Sequence, residues 1–399
     1  MSQPLRWRRA SLALGIPLAV LLAACSSSGT SSASSAGASS SGAGIPVSTT
    51  NATCQAVQLG PVVRCENFYT DFWPTIKKNM ASLYAQAKAT DGGQLVVWDW
   101  YPLPPQEISM FEKAYPGITI TTRGLNFNLG SAIVTAKATG ARNTDVVKGS
   151  ITTMTQTYNA GYWEKVNWAQ FGVPKQFLQI GGAGTGLLPD SIQTEFAQYN
   201  TTKVTAPPAA LPNYTQAQWH GKLVTENYEG YVFAGYGMKY GEAKMVQLIK
   251  QLKSSGNLTV SSNDASLLST GEDPVDFEED LGQSDPSLQV SPIQYAQTYV
   301  QFIGVNSDSA NKPAAELFSL WEAYDPTWIN TLLTSTTMTG LVQPYPGLPS
   351  STFAAATGVM KANVTALTQG IANDDLIFES FANRDEFNTL DTAADNALG

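Results

Sequence analysis

From Gln94 onward the chain alternates short, β-branched apolar runs with helix-like segments. Residues 94–98 (QLVVW) read as a strand and 105–115 as a helix, and the Pro116-Gly117 stop precedes a second strand at 118–122. A helix over 131–140 and a strand over 145–147 follow, giving the order βαβαβ, the pattern of a parallel sheet covered by helices. A further helix over 152–160 ends at Gly161, a residue suited to a left-handed cap. The second half repeats the alternation less cleanly, with strands over 195–200 and 222–226 and helices over 239–253 and 313–321. No segment recurs at a fixed period, which excludes a solenoid or propeller. At 399 residues the chain exceeds what one hydrophobic core organises, so two lobes are expected.

Counts of charged residues and histidine narrow the function. Residues 1–24 carry Arg6, Arg8 and Arg9 and no acid; without them the 23 basic residues fall to 20 against 32 acidic ones. A nucleic-acid partner is disfavoured, because phosphate backbones require a basic face. The one histidine, His220, restricts every mechanism built on a histidine base or a His-rich metal centre, and it reads as a surface residue. The Gly-rich stretch 181–186 has no following Lys-Ser/Thr and is no phosphate-binding loop. The acidic run 271–280 lacks the alternating spacing of an EF-hand and reads as a solvated loop.

The N-terminus reads as an address. A basic start, an apolar run over 12–23 and small residues before Cys25 make a secretory signal, and that run of about a dozen residues is too short to span a bilayer. Leu22-Ala23-Ala24-Cys25 resembles the lipobox of bacterial lipoproteins, which implies lipidation of Cys25 and anchoring on the outer face of the cell membrane. A Ser/Gly/Ala-rich tether over 25–50 follows. Arg8 and Arg9 do not complete a twin-arginine signal, and the export route stays open. Cys54 and Cys65, in an exported chain, are expected to form a disulfide within an extension over 51–92.

A series of short motifs in order resembles the extracellular solute-binding proteins of ABC importers, of the type II periplasmic-binding fold. Residues 111–118 are similar to the FEKxYPGI of ferric and polyamine binders, and 136–147 (AKATGARNTDVV) to a small helix, Gly and Asp-Val-Val. Tyr199-Asn200, Trp219-His220-Gly221-Lys222, Ser269-Thr270-Gly271-Glu272 and Ala314-Ala315-Glu316-Leu317-Phe318 complete the series. The resemblance implies an α/β fold of two lobes joined by hinge strands, each lobe a mostly parallel sheet flanked by helices. The first lobe would take 93–195 plus 295–399 and the second 196–294.

It also implies a monomeric, non-enzymatic protein, without cofactor or structural metal, that passes a small solute to the permease subunits of an ABC transporter. Open α/β sheets place ligands at the carboxyl ends of their strands. Candidate ligand residues are therefore Trp98, Asp99, Trp100 and Tyr101 after strand one, and Gly149 and Ser150 after strand three. Tyr199 and Asn200 on the presumed crossover, and Glu226, Asn227 and Tyr228 after the next strand, complete the set. Aromatic faces around a carboxylate suit an organic cation, a stacked ring or a sugar. The resemblance of residues 98–101 (WDWY) to the first strand end of polyamine binders, with the acidic balance, implies a polyamine or other organic amine first, a sugar second and a metal chelate third. Free ferric iron is disfavoured, since the binders of that ion use adjacent tyrosines and no Tyr-Tyr occurs. The competing reading is an anchored carboxylate-based glycosidase, which needs no histidine.

Overall fold

The computed structural model describes residues 51–90, 93–141, 144–158, 161–182, 186–277, 287–335 and 343–399. The expected signal sequence, Cys25 and the tether lie outside the described residues.

The extension begins with an antiparallel hairpin of β1 (Ala56–Leu59) and β2 (Val62–Cys65), closed by a disulfide between Cys54 and Cys65. A turn of π-helix, Phe68–Phe72, leads into α1 (Trp73–Ala89). Ile76, Met80, Leu83 and Ala87 recur at helical spacing and bury one stripe of α1. Phe68 is fully buried against Phe177 and Tyr324, which fixes the extension to the first lobe.

In the first lobe β3 (Gln94–Asp99), α2 (Pro105–Ala114), β4 (Thr119–Gly124), α3 (Leu129–Thr139), β5 (Val146–Ser150) and α4 (Ile151–Tyr158) follow the expected order. β3 pairs in parallel with β4 on one side and β5 on the other, so the chain crosses over twice in opposite directions from β3. β6 (Leu188–Thr194) then passes through Glu195 alone into β7 (Phe196–Asn200) of a second sheet.

The second lobe comprises β8 (Leu223–Thr225), α5 (Tyr231–Tyr240), α6 (Glu242–Ser254), β9 (Leu258–Val260), α7 (Asp264–Thr270), β10 (Val275–Phe277) and β11 (Leu288–Pro292). The chain returns to the first sheet through β12 (Ala296–Val305). α8 (Lys312–Tyr324), α9 (Pro326–Thr334), β13 (Gln343–Pro344), α10 (Ser350–Phe353), α11 (Gly358–Ala372), β14 (Leu376–Phe378) and α12 (Arg384–Leu398) finish it. α8 is buried nearly all round because α1 covers it on one side and β6 and β12 on the other.

The strand order is β13-β6-β12-β5-β3-β4 in the first sheet, with β14 beside β12, and β11-β7-β10-β8-β9 in the second. Both sheets are mixed, because β12 runs antiparallel to β5 and β6, and β7 runs antiparallel to β10 and β11. The lobes repeat one topology without a sequence repeat: β4-β3-β5-β12 corresponds to β9-β8-β10-β7. Two apolar clusters follow this division, and α12 packs Phe387, Leu390, Ala394 and Leu398 into the second.

Two local expectations change. The single helix over 239–253 is broken at Gly241, whose φ of +91° ends α5 and lets α6 start at a new angle. The acidic run is not a solvated loop as far as 277: Val275–Phe277 is the inner strand β10, with Asp276 fully buried, while 278–280 lie outside the described residues.

Candidate functional site

Register shows which strand ends converge. β12 leaves the crossover at Ala296; Ser150 pairs with Gln301 and Val146 with Val305, so β5 and its parallel neighbour β3 run toward the crossover. In the second sheet Phe277 pairs with Ala197 at the crossover end of β7, and β8 runs parallel to β10. The carboxyl ends of β3, β5, β8 and β10 therefore all point toward the segments joining the lobes. In each lobe this is also where the crossovers diverge, at β3/β5 and at β8/β10, leaving a crevice between loops.

At the end of β3 the four residues separate. Trp98 is a core side chain, 3% exposed, with the Arg123 guanidinium over its ring; Tyr101 is 54% exposed. Asp99 bends its carboxylate back: Oδ1 accepts from the Trp100 amide at 2.6 Å, and Oδ2 lies 3.8 Å from Lys148 Nζ. The backbone is pinned as well, Leu125 and Asn126 donating to the carbonyls of Asp99 and Trp100. Gly149 is buried, and a Cβ there would sit 3.2 Å from Thr153. Ser150 ends β5 half-buried, where the chain turns directly into α4.

Beneath this end lies a charge cluster that sequence reading missed. Lys148 Nζ contacts Glu322 Oε1 of α8 and lies 4.0 Å from Glu107 Oε1 of α2, in addition to Asp99. Asp190 of β6 adds a fourth carboxylate acting on the same ammonium. Burial, only partly offset by Lys148, pushes the Asp99 carboxyl up to about 6 and Asp190 up to about 7. Burial and the Glu322 charge push Glu107 well above the carboxylate range. The charges around Lys148 hold its ammonium well above the ordinary value despite burial, which acts the other way. No spacing rule links residues 99, 107, 148, 190 and 322; only the fold brings them together.

On the facing lobe, Glu226 and Tyr228 are half-buried, Asn227 is exposed and Glu229 is buried, all just past β8. Tyr199 and Asn200 lie at the other end of the sheet: β7 starts at the crossover and Asn200 is four residues along it, roughly 13 Å away at strand rise. Asn200 there donates to the carbonyls of Leu268 and Ser269, and its Oδ1 accepts from the Thr202 amide, a loop-capping role. A polar set lies on the first sheet where the joining strands leave it. Thr194 and Thr298 share a 2.6 Å hydroxyl contact, and Glu379 accepts from Thr152 Oγ1 and Gln297 Nε2. Burial raises the Glu379 carboxyl, opposed by those two donors and by Arg384. His220 is exposed and its Nδ1 lies 2.9 Å from the Ser255 carbonyl oxygen, away from these groups.

Among the described residues no three His, Cys, Asp or Glu side chains are placed to hold a metal ion, and no helix is long and apolar enough to cross a membrane.

No family model and no curated protein matches the sequence. Solved structures do match the fold. The GacH receptor of Streptomyces glaucescens aligns with a TM-score of 0.60 at 15% identity, over 77% of this chain and 93% of that one. The spermidine/putrescine ABC transporter substrate-binding protein PotD of Streptococcus pneumoniae aligns at 0.56 and 12% identity, over 77% and 99%. The apo ferric ion-binding protein A of Pasteurella haemolytica aligns at 0.54 and 12% identity, over 76% and 98%. The chain thus has the two-lobed α/β fold of the substrate-binding proteins of ABC transporters, the type II periplasmic-binding fold.

Proposed function

We propose that this chain is the extracytoplasmic solute-binding subunit of an ABC importer, held at the membrane by a lipid on Cys25 and acting without chemical conversion of its solute. The carrying observation is the convergence of the β3, β5, β8 and β10 ends on the segments joining two lobes of like topology. A solute touching both lobes favours the closed arrangement, which permease subunits can read. The ligand residues on this reading are Trp100, Tyr101, Gly149, Ser150, Glu226, Asn227 and Tyr228.

An organic amine remains the first choice of solute. Glu195, Glu226, Glu229 and Glu379 all lie near the crossover, and the aromatic Trp100 and Tyr101 follow β3 as Glu226 and Tyr228 follow β8. One observation favours a sugar as the second reading: Lys148 Nζ lies 3.8 Å from Asp99 Oδ2, so the acid at the β3 end already faces a cation of the protein's own beside the aromatic Trp100 and Tyr101.

A thermal-shift screen with spermidine, maltotriose and ferric citrate tests the proposal. A true solute at a hundredfold excess over its Kd should stabilise the protein by about 2.7 kcal/mol. Stabilisation by spermidine supports the amine, stabilisation by maltotriose the sugar, and turnover of maltotriose would replace the whole reading by the glycosidase.

A further inference from the structure

Asp99 ends β3 and touches two things at once: the Trp100 amide, which starts the aromatic loop, and Lys148, which is anchored to α8 by Glu322. We propose that Lys148 and Glu322 are positioning residues for the Trp100–Tyr101 loop, acting through Asp99, and that the loop is held or released according to the protonation of that cluster. The inference rests on the placement of the β3 end in the cleft, but not on which solute binds.

The geometry carries it. A lysine head is flanked by carboxylates from β3, α2, β6 and α8, and every one of these residues is largely or wholly removed from solvent. One ammonium cannot balance four ionised carboxylates in a low dielectric, so protons must be shared among them. Glu107 lies within reach of Glu322 and Lys148, and burial and the Glu322 charge raise its carboxyl well above the carboxylate range. Asp99 is the most exposed of the residues paired here, at 22% of its side chain, and it also accepts the Trp100 amide of the loop.

Tyr324 of α8 donates its hydroxyl to the Pro189 carbonyl beside Asp190, and Arg123 of β4 is turned onto the Trp98 ring. Neither is placed to neutralise Asp99. Ionised Asp99 accepts the Trp100 amide hydrogen and is drawn to Lys148; protonated Asp99 loses the attraction to Lys148 and weakens the amide bond. The loop is then held above the titration of Asp99 and loosened below it. The signs of two substitutions are opposite. Glu322→Gln removes a negative neighbour and frees Lys148 for Asp99, which lowers the midpoint; Lys148→Met removes the cation and raises it.

The test is 19F NMR of the protein labelled with 5-fluorotryptophan, with the Trp100 signal assigned by Trp100→Phe. The signal is expected to titrate between pH 5 and 8, to move to lower pH in Glu322→Gln and to higher pH in Lys148→Met, each by half a unit or more. It should not titrate in Asp99→Asn. The other tryptophan resonances report whether each variant is folded; should Lys148→Met unfold, the Glu322→Gln and Asp99→Asn profiles decide alone. A Trp100 signal flat across that range in the native protein, or one whose midpoint is the same in Glu322→Gln, overturns the proposal.

Discussion

Lys148 of β5 and Glu322 of α8, 174 residues apart in the chain, meet head to head beneath the first sheet with side-chain exposures of 14% and 6%. Breaking a buried pair by removing one partner strands the other charge, which typically costs about 3–5 kcal/mol. Lys148→Met, which leaves the surrounding carboxylates without their cation, should lower stability on that scale; Glu322→Gln, after which Asp99, Glu107 and Asp190 still face Lys148, should cost less, and the double variant should be at least about 1 kcal/mol more stable than additivity allows. Urea unfolding of the four proteins measures it; strict additivity would contradict the pairing.

The same cluster sets a pH dependence. Asp99 and Asp190 have folded values of about 6 and 7, above the ordinary carboxylate value, because burial penalises their ionised forms. An acid whose folded pKa is raised favours the folded state below its unfolded pKa, and that contribution is lost as pH rises through the folded pKa. The melting temperature is therefore expected to fall from pH 5 to pH 8, and Asp190→Asn should flatten the slope. Lys148, raised as well, contributes no loss until far above this range. Differential scanning calorimetry at the two pH values checks the sign.

Sequence made the first βαβαβ unit readable because its strands are β-branched and its helix ends are marked by Pro116-Gly117 and Gly140. The disulfide is readable from two cysteines in a chain expected to be exported. The charge cluster was not, since Asp99, Glu107, Lys148, Asp190 and Glu322 become neighbours only through strand order. Tyr199 and Asn200 were misplaced for a related reason: a strand pattern gives no direction, and β7 turned out to run away from the crossover. Strand β10 hid in an acidic run because Asp276 interrupts an apolar triplet that pairs on both edges.

Gly235 of α5 lies against the first residues of β12, where a Cβ would come within 2.0 Å of the Tyr295 carbonyl oxygen and 2.8 Å of the Gln297 nitrogen. Those atoms are backbone and cannot turn aside. Gly235→Ala should cost about 1–3 kcal/mol or more by overpacking, despite the better helix propensity of alanine. A melting temperature equal to or above the native one would show that α5 is not seated on the crossover as described.

The disulfide closes the hairpin whose Cys65 amide donates to the Gly347 carbonyl. Replacing both cysteines by serine should destabilise the protein by about 3 kcal/mol on the chain-entropy account. A reductant should lower the native melting temperature and leave the double-serine variant unchanged.

Two lobes that close on a small solute must draw nearer to each other when it binds. Nitroxides at Lys113→Cys on α2 and Lys250→Cys on α6, in a Cys25→Ser chain, report the distance between lobes by pulsed electron resonance. With the ligand that stabilises the protein in the thermal screen, the distance distribution is expected to narrow and shift to shorter values in a saturable way. A distribution that stays the same at saturating ligand would contradict closure and the importer reading with it.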